Sequence, residues 1–245
     1  MQRINCKILH KHKVVNMRQK RSKVSIVIPT LNEGRNIGQV IRGVKQQLSK
    51  IPNISYEIII VDKYSTDKTV EIAKRLGAKV LYDKYGKGSA LVKGLSAANG
   101  DVLISMDADL SHEPKELVLL IDAIRLGYDV CLGSRFITGG GSEDMPWYRK
   151  FGNKVFVMLV NLLFHAHYTD LCYGYRSFSR SAFRKLDLKE KGFGIETEMN
   201  IEIAKKKLKA FEIPSYEKKR AHGTGNLKTF RDGFTILKTI LKNVF

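Results

Sequence analysis

Short apolar runs alternate with segments of helical spacing from residue 24 onward. Residues 57–62, with the sequence EIIIVD, form a continuous apolar run of the kind that a parallel sheet buries on both faces. Residues 37–48 instead repeat apolar side chains at the spacing of one helix face. The pattern predicts strands at 24–29, 57–62, 78–82, 101–109 and 128–135, and helices at 37–48, 67–76 (capped by Ser65 or Thr66), 90–99 and 114–126.

This alternation of strand and helix predicts the fold class. Parallel strands need crossover connections, and a helix between each pair of strands supplies them. We therefore expect an α/β fold with an open, mostly parallel sheet and helices on both faces. In such folds ligands bind beyond the carboxyl ends of the strands.

The regular alternation of predicted strands and helices ends after residue 135. Residues 137–146 hold three adjacent glycines, together with Ser, acidic residues and Pro, and we expect a loop that is mobile unless a ligand orders it. A helix over 147–164, an irregular aromatic-rich stretch over 167–178, a helix near 196–207, a strand over 209–214 and a helix from about 230 are predicted to follow. The last helix has one apolar side flanked by lysines, which suits either the core or a membrane surface.

The composition adds a strong positive charge. The 245 residues hold 43 Lys and Arg against 24 Asp and Glu, a net charge of +19, which indicates an anionic partner. Residues 1–23 contain basic side chains and no acidic one, so they are predicted to be a flexible basic arm ahead of a single domain over 24–245. The cysteines, Cys6, Cys131 and Cys172, form no C-x-x-C pair, which favours a reducing cytosolic compartment.

Acidic side chains are predicted to collect at the strand ends. Asp107 and Asp109 follow the apolar run VLISM, and alternate residues of a strand share a face, so both carboxylates can bind one hard divalent cation. Asp62 and Glu33 lie just past neighbouring strands, and Lys87 in a G-K-G turn adds a cation suited to phosphate. The alternative is a turn in which the first carboxylate only caps the helix at residue 114.

Several motifs, in order, resemble the inverting family 2 glycosyltransferases of the GT-A fold. They are SIVIPTLNE, IIIVDKYSTDKT, YGKGSALVKGL, GDVLISMDADLSHEP and LGSRF. Within that family the chain is most similar to the dolichyl or polyprenyl phosphate sugar synthases, and the resemblance covers about residues 24–245. It implies a nucleotide-sugar half over 24–135 and an acceptor and membrane-facing half over 136–245.

The resemblance also implies roles for individual residues. The nucleotide pocket is expected to involve Pro29, Thr30, Asn32, Glu33, Asp62, Lys87 and Asp107. Mg²⁺ or Mn²⁺ is expected on Asp107, Asp109 and Ser111. Arg135 and Arg149 are expected to hold the acceptor phosphate, with Asp109 as a third catalytic residue. The chain departs from the family at Lys63 and Tyr64, where many relatives have a second acid and a small residue, and Ser111 stands where relatives can have Gln.

The expected function is metal-dependent transfer of a hexose from GDP-mannose or a UDP-hexose to polyprenyl or dolichyl phosphate, with inversion. A phosphate acceptor is already anionic at neutral pH and needs no base. We expect the enzyme to lie peripherally on an anionic membrane, at its cytoplasmic face. One alternative is a hydroxyl acceptor, with Glu196 or Glu198 as the base. Another is a nucleic-acid binder, but the chain has no recognised motif of that class, and nucleic acid is not an expected partner.

Overall fold

A seven-stranded sheet lies at the centre of the molecule, in a computed structural model that describes residues 21–143, 145–223 and 229–244. The strands of this sheet are β1 (Ser22–Thr30), β2 (Ile54–Asp62), β3 (Lys79–Tyr82), β4 (Val102–Ser105), β5 (Val130–Ser134), β7 (Arg176–Ser179) and β8 (Ala210–Pro214). A separate two-stranded sheet pairs β6 (Gly141–Ser142) with β9 (Tyr216–Glu217).

Helices cover both faces of the central sheet. They are α1 (Ile37–Leu48), α2 (Thr69–Arg75), α3 (Lys87–Ala97), a 3₁₀ turn (Pro114–Glu116) leading into α4 (Leu117–Arg125), α5 (Trp147–Phe164), α6 (Arg180–Phe183), α7 (Ile195–Lys205) and α8 (Thr229–Lys242). Two apolar layers result, one beneath α1 and α4 and the other beneath α3, α7 and α8. None of the helices in the described ranges is long and apolar enough to cross a membrane.

The sheet order is β3-β2-β1-β4-β7-β5-β8, and all neighbouring pairs are parallel except those of β7. The predicted α/β class with a mostly parallel sheet is therefore confirmed. Strand β2 ends in four consecutive fully buried apolar side chains and Asp62, because helices cover it on both sides. Gly94 of α3 lies against Val27 and Val61, where a side chain would not fit.

Several predicted boundaries differ from the structure. Strand β1 begins at Ser22, two residues before the apolar run, and residues 1–20 of the predicted basic arm lie outside the described part of the chain. Strand β4 ends at Ser105, so the predicted strand over 101–109 was too long at its carboxyl end. Helix α3 begins at Lys87 rather than residue 90.

The predicted cap of α2 was wrong. The residue that precedes the helix is Lys68, and it makes no side-chain capping bond. Ser65 instead binds Asp62, and the backbone N–H of Thr66 donates to Asn32 Oδ1 at 2.9 Å. Ser65, through its side chain, and Thr66, through its backbone, therefore tie the β2 loop to its surroundings.

The second half contains two features that the pattern did not predict. Strand β7, within the stretch expected to be irregular, runs antiparallel between β4 and β5. The glycine-rich loop over 137–146 is anchored in its middle, because β6 pairs with β9 and Gly141 N–H donates to Ser215 O at 3.1 Å.

Candidate active site

Charged side chains gather at the carboxyl ends of β1, β2 and β4, which run parallel and side by side. Thr30 and Asp62 end their strands as register partners, and Asp107 follows two residues after the end of β4. We call this group the charged crevice; it comprises Glu33, Asp62, Lys87, Asp107, Asp109, Glu196 and Arg220. It lies where an open α/β sheet binds ligands.

Asp62 forms the floor of the charged crevice and is fully buried. Its carboxylate accepts hydrogen bonds from Thr30 Oγ1 at 2.8 Å, from the Ser65 backbone N–H at 2.7 Å and from Ser65 Oγ at 2.6 Å. Three donors fix the carboxylate, as a buried charge requires. Contact between Asp62 and a nucleobase stays a prediction.

The turn after β1 contributes Asn32 and Glu33. Asn32 has a left-handed backbone, with φ 55°, a conformation that Asn tolerates better than most residues. Glu33 is buried and accepts from Asn36 Nδ2 at 2.6 Å. Pro29 lies in β1 beyond the segment that pairs with β4, so its missing N–H costs no ladder bond to that strand.

Lys87 bridges two carboxylates at the start of α3. Its Nζ lies 2.9 Å from Asp107 Oδ1 and 2.9 Å from Glu196 Oε1. Burial alone would lower the pKa of Lys87, but the two carboxylates overcome this and raise it. Burial would likewise raise the pKa of Asp107, but Lys87, with a smaller contribution from Arg220, lowers it to about 2. Lys87, which was predicted to belong to the site, therefore lies there as a charged group that two carboxylates hold in place.

Arg220 is the cation that the sequence analysis missed. Its Nη2 lies 3.0 Å from Asp109 Oδ2, and its Nη1 donates to Glu33 Oε1 at 2.8 Å. The surrounding basic segment also reaches the crevice through its backbone, since Lys218 N–H donates to Ser111 O at 2.9 Å. The run KKRAH after β9 was a visible signal, but the sequence does not show that it folds over β4.

Asp107 and Asp109 suit a divalent cation chemically. Carboxylate oxygens are ligands that Mg²⁺ and Mn²⁺ prefer, and each carboxylate already attracts a cationic side chain of the chain itself. Ser111 Oγ donates to Asp109 Oδ1 at 2.6 Å, which orients that carboxylate. Among the described residues no group of three His, Cys, Asp or Glu side chains forms a complete metal site. The remaining positions would fall to phosphate oxygens and water.

His112 supports Asp107 from behind and was not predicted from the sequence. It is buried and stacked on Tyr175, with ring centroids 4.6 Å apart and an interplanar angle of 6°. Its Nδ1 accepts the backbone N–H of Asp107 at 3.1 Å. Burial lowers the pKa of His112, so the ring is neutral and carries its proton on Nε2.

Arg135 lies inside the protein among carboxylates. Its guanidinium donates to Asp170 from Nε at 2.7 Å and from Nη2 at 2.9 Å, and to Glu217 from Nη1 at 3.0 Å. It also lies 4.7 Å from the centroid of the Tyr173 ring. An acceptor phosphate would have to displace one of these carboxylates, and the predicted contact with acceptor phosphate stays a prediction.

The remaining predicted residues lie elsewhere. Arg149 is half-buried in the first turn of α5, where its backbone N–H donates to Pro146 O at 3.0 Å. Glu198 is buried, but its carboxylate accepts the backbone N–H groups of Lys189 and Glu190, at 3.0 and 2.8 Å, outside the charged crevice. Of the two candidate bases, only Glu196 lies in the charged crevice.

Two curated proteins are similar to this chain in sequence over most of its length. Dolichol-phosphate mannosyltransferase of Pyrococcus furiosus is 35% identical over 214 residues, which are 84% of this chain and 59% of that protein. Dolichyl-phosphate hexose transferase of Haloferax volcanii is 30% identical over 220 residues, 89% of this chain and 92% of that protein. The chain thus spans only about three fifths of the Pyrococcus protein.

The structural comparison supports the same fold. Glucosyl-3-phosphoglycerate synthase of Mycobacterium tuberculosis, solved with Mn²⁺, UDP and glucosyl-3-phosphoglycerate, superposes with a TM-score of 0.72 at 21% identity. The superposition covers 91% of this chain and 80% of that one, and the predicted GT-A fold is confirmed. The family profile described as Glycosyl transferase family 2 matches residues 25–187. With its fold, its motifs and these relatives, the chain belongs to glycosyl transferase family 2.

Proposed function

We propose that the protein transfers a hexose from a nucleotide sugar to a polyprenyl or dolichyl phosphate, with inversion at the anomeric carbon. The relatives described above are named for dolichyl-phosphate substrates, which supports a lipid phosphate acceptor. On this chain, the observation that supports a lipid acceptor is an exposed apolar surface on α5 and α8. We call it the apolar face; its residues are Trp147, Phe151, Met158 and Leu162 of α5 with Phe234 and Leu241 of α8.

The apolar face has the composition of a membrane-surface site. Trp147 is 79% exposed and Leu162 is 71% exposed, although large apolar side chains normally avoid such exposure when they cluster. The α5 members recur at helical spacing, and the exposed Lys154 lies on the same stripe. Helix α8 packs against α5 and adds the exposed Lys238 and Lys242. Apolar side chains with flanking lysines are typical of helices that lie in an anionic bilayer surface.

The charged crevice supports a nucleoside diphosphate as the donor's leaving group. Asp107 and Asp109 would hold Mg²⁺ or Mn²⁺, which supplies positive charge to the departing diphosphate. Lys87 and Arg220 each offer N–H donors that can shift from a carboxylate to a phosphate oxygen. The arrangement therefore exchanges internal ion pairs for contacts with the donor.

The acceptor side supports a phosphate rather than a hydroxyl nucleophile. A phosphate monoester has its second pKa near ~6 and is already anionic at neutral pH. Glu196, the candidate base in the crevice, has its carboxylate 2.9 Å from the Lys87 ammonium, so it is already engaged in an ion pair. Arg149 lies in the first turn of α5, two residues from Trp147 and two from Phe151. We propose that it holds the acceptor phosphate.

The compartment follows from the same reasoning. A lipid acceptor keeps its tail in the bilayer, so the enzyme must work at the membrane surface, and we propose the cytoplasmic face. Cys131 and Cys172 are free thiols, in keeping with a reducing compartment.

The proposed function is tested by measuring the transfer of sugar to a lipid phosphate directly. The full chain is incubated with GDP-mannose, UDP-glucose or UDP-N-acetylglucosamine, Mg²⁺ or Mn²⁺, and a short polyprenyl phosphate, and lipid-linked sugar is measured by mass spectrometry. We expect one donor to give product that EDTA abolishes. Arg149→Ala is expected to reduce the rate far more than Glu196→Gln. A product on a glycan or peptide hydroxyl, with the opposite order of the two variants, would replace the lipid phosphate by a hydroxyl acceptor.

A further inference from the structure

Two exposed tyrosine rings stack beside the charged crevice. Tyr64 and Tyr82 have ring centroids 5.3 Å apart and an interplanar angle of 23°, and they are 60% and 38% exposed. Tyr82 ends β3 and is the register partner of Asp62, while Tyr64 follows Asp62 by two residues. The pair therefore lies at the same edge of the sheet as the crevice. Tyrosine at such a position offers a large flat surface to a ligand.

Tyr64 lies in the loop after β2, where its backbone is strained and its neighbours are fixed by hydrogen bonds. Its backbone is left-handed, with φ 54°, a conformation that bulky side chains rarely adopt. The loop is fixed on both sides: Ser65 Oγ donates to Asp62 at 2.6 Å and Thr66 N–H donates to Asn32 Oδ1 at 2.9 Å. Strain that the surroundings maintain points to a functional constraint at this position.

The position of the pair matches the length of a nucleotide. The strand order β3-β2-β1-β4 places Tyr64 and Tyr82 two to three strands away from Asp107 and Asp109, or roughly 10–15 Å at the usual strand spacing. A diphosphate held among the cations at the β4 end leaves its nucleoside to extend along the strand ends toward β2 and β3. The aromatic pair lies in that direction, at the ends of β2 and β3, while the cations that would hold the diphosphate lie near the end of β4.

We propose that Tyr64, backed by Tyr82, forms a stacking platform for the nucleobase of the donor. This inference rests on the proposed nucleotide-sugar donor and extends it to the base. Tyr82 covers part of Tyr64, and the exposed remainder of the Tyr64 ring takes the base. Every base has a π-face, and a purine has the larger one, so the platform favours guanine over uracil.

The test measures binding of GDP, UDP and inorganic pyrophosphate to the full chain with Mg²⁺ by calorimetry. Tyr64→Gly removes the ring and suits the left-handed backbone, so we expect an unchanged or higher Tm. Its affinity for GDP should fall at least about fivefold, with a smaller loss for UDP and none for pyrophosphate. Tyr64→Phe, which keeps the ring, should bind as the wild type does.

Tyr56→Leu is the control, because Tyr56 is likewise an exposed tyrosine, at 38%, but lies near the opposite end of β2. It should leave all three affinities unchanged. Equal nucleotide affinities in Tyr64→Gly and wild type would overturn the platform while leaving the transfer reaction intact. An equal loss for pyrophosphate would also overturn it, because the ring would then act on the whole site. Nucleotide binding that depends on Tyr64, in a protein that makes no lipid-linked sugar, would sustain the platform and refute the proposed acceptor.

Discussion

The charged crevice and the apolar face differ in how their side chains are satisfied. In the crevice, Lys87 and Arg220 each lie within 3.0 Å of a carboxylate, so the charges are paired within the chain. On the apolar face, Trp147 and Leu162 keep most of their surface in solvent. A ligand of the crevice must therefore replace existing ion pairs, whereas a partner of the apolar face only has to exclude water.

The difference predicts two kinds of response to mutation. Ion pairs act over short distances in fixed geometry, so one lost charge leaves its partner without compensation. Apolar burial is non-directional and scales with area, so each residue of the face contributes separately. Single changes should be severe in the crevice and graded on the face.

The largest effect is expected from Asp109→Asn. The amide cannot supply the negative charge that a divalent cation needs, and it also removes one of the two ion pairs of Arg220, leaving only the pair with Glu33. Transfer of sugar to polyprenyl phosphate should fall on the order of 10³-fold, while binding to anionic vesicles stays as in the wild type. Initial rates at saturating donor provide the measurement.

Asp122→Asn is the control for this change. Asp122 lies on α4, half-exposed in an i,i+3 pair with Arg125, and its loss should leave the rate unchanged. Asp109→Asn with near wild-type rates would mean that the reaction does not use the carboxylate pair, and the contrast between crevice and face would fail.

Arg135→Ala should have the largest effect on stability. The change leaves buried Asp170 without its bidentate partner and Glu217 without its ion pair. We expect the free energy of unfolding to fall by about 3–5 kcal/mol in urea titrations. Lys189→Ala, which removes an ion pair to Asp187 on the surface, should leave the free energy of unfolding nearly unchanged. Equal costs for the two variants would show that Arg135 is not part of the buried framework.

A matched pair of leucines tests the apolar face. Leu162 on α5 is 71% exposed and Leu126 after α4 is 68% exposed, so Leu→Ser at each removes a similar apolar area. Leu162→Ser should weaken binding to phosphatidylcholine and phosphatidylglycerol vesicles roughly tenfold, and Leu126→Ser should not. Trp147, the only tryptophan, reports binding through a blue shift of its fluorescence. Equal weakening by both variants would contradict docking through this face.

The crevice was largely predictable, because motifs at strand ends fix where their side chains lie. Asp62, Asp107 and Asp109 were placed at one edge from the ends of predicted strands, and Lys87 from its G-K-G turn before a helix; the structure brings them there. The partners were not predictable in the same way. Arg220 meets Glu33 across 187 residues, a contact that depends on the complete fold rather than on local periodicity.

The second half was less predictable for two physical reasons. Strand β7 is only four residues long and contains buried Arg176, so it lacks the apolar run that marks a central strand. Arg135 was predicted from its motif to face the acceptor, but its partners come from positions 35 and 82 residues further along the chain. Helix periodicity placed α5 from residue 147 to about residue 164, which agrees with the structure, but it could not show which side would remain exposed.

The smallest effect concerns the dependence of stability on pH. Burial holds the pKa of His112 below its unfolded value near 6.5, so only the unfolded state takes up this proton as the pH falls below about 6.5. Folding stability should therefore decrease on acidification, by at most about 1.4 kcal/mol per pH unit from this group. Asp107, with its pKa lowered to about 2, contributes a further loss of folding stability only below about pH 4.

His112→Asn tests this pH dependence, because Asn keeps an acceptor for the Asp107 N–H but cannot titrate. In urea titrations from pH 7 to pH 5, the free energy of unfolding of this variant should change less with pH than that of the wild type. Parallel profiles for the two proteins would show that His112 is not held neutral behind Asp107.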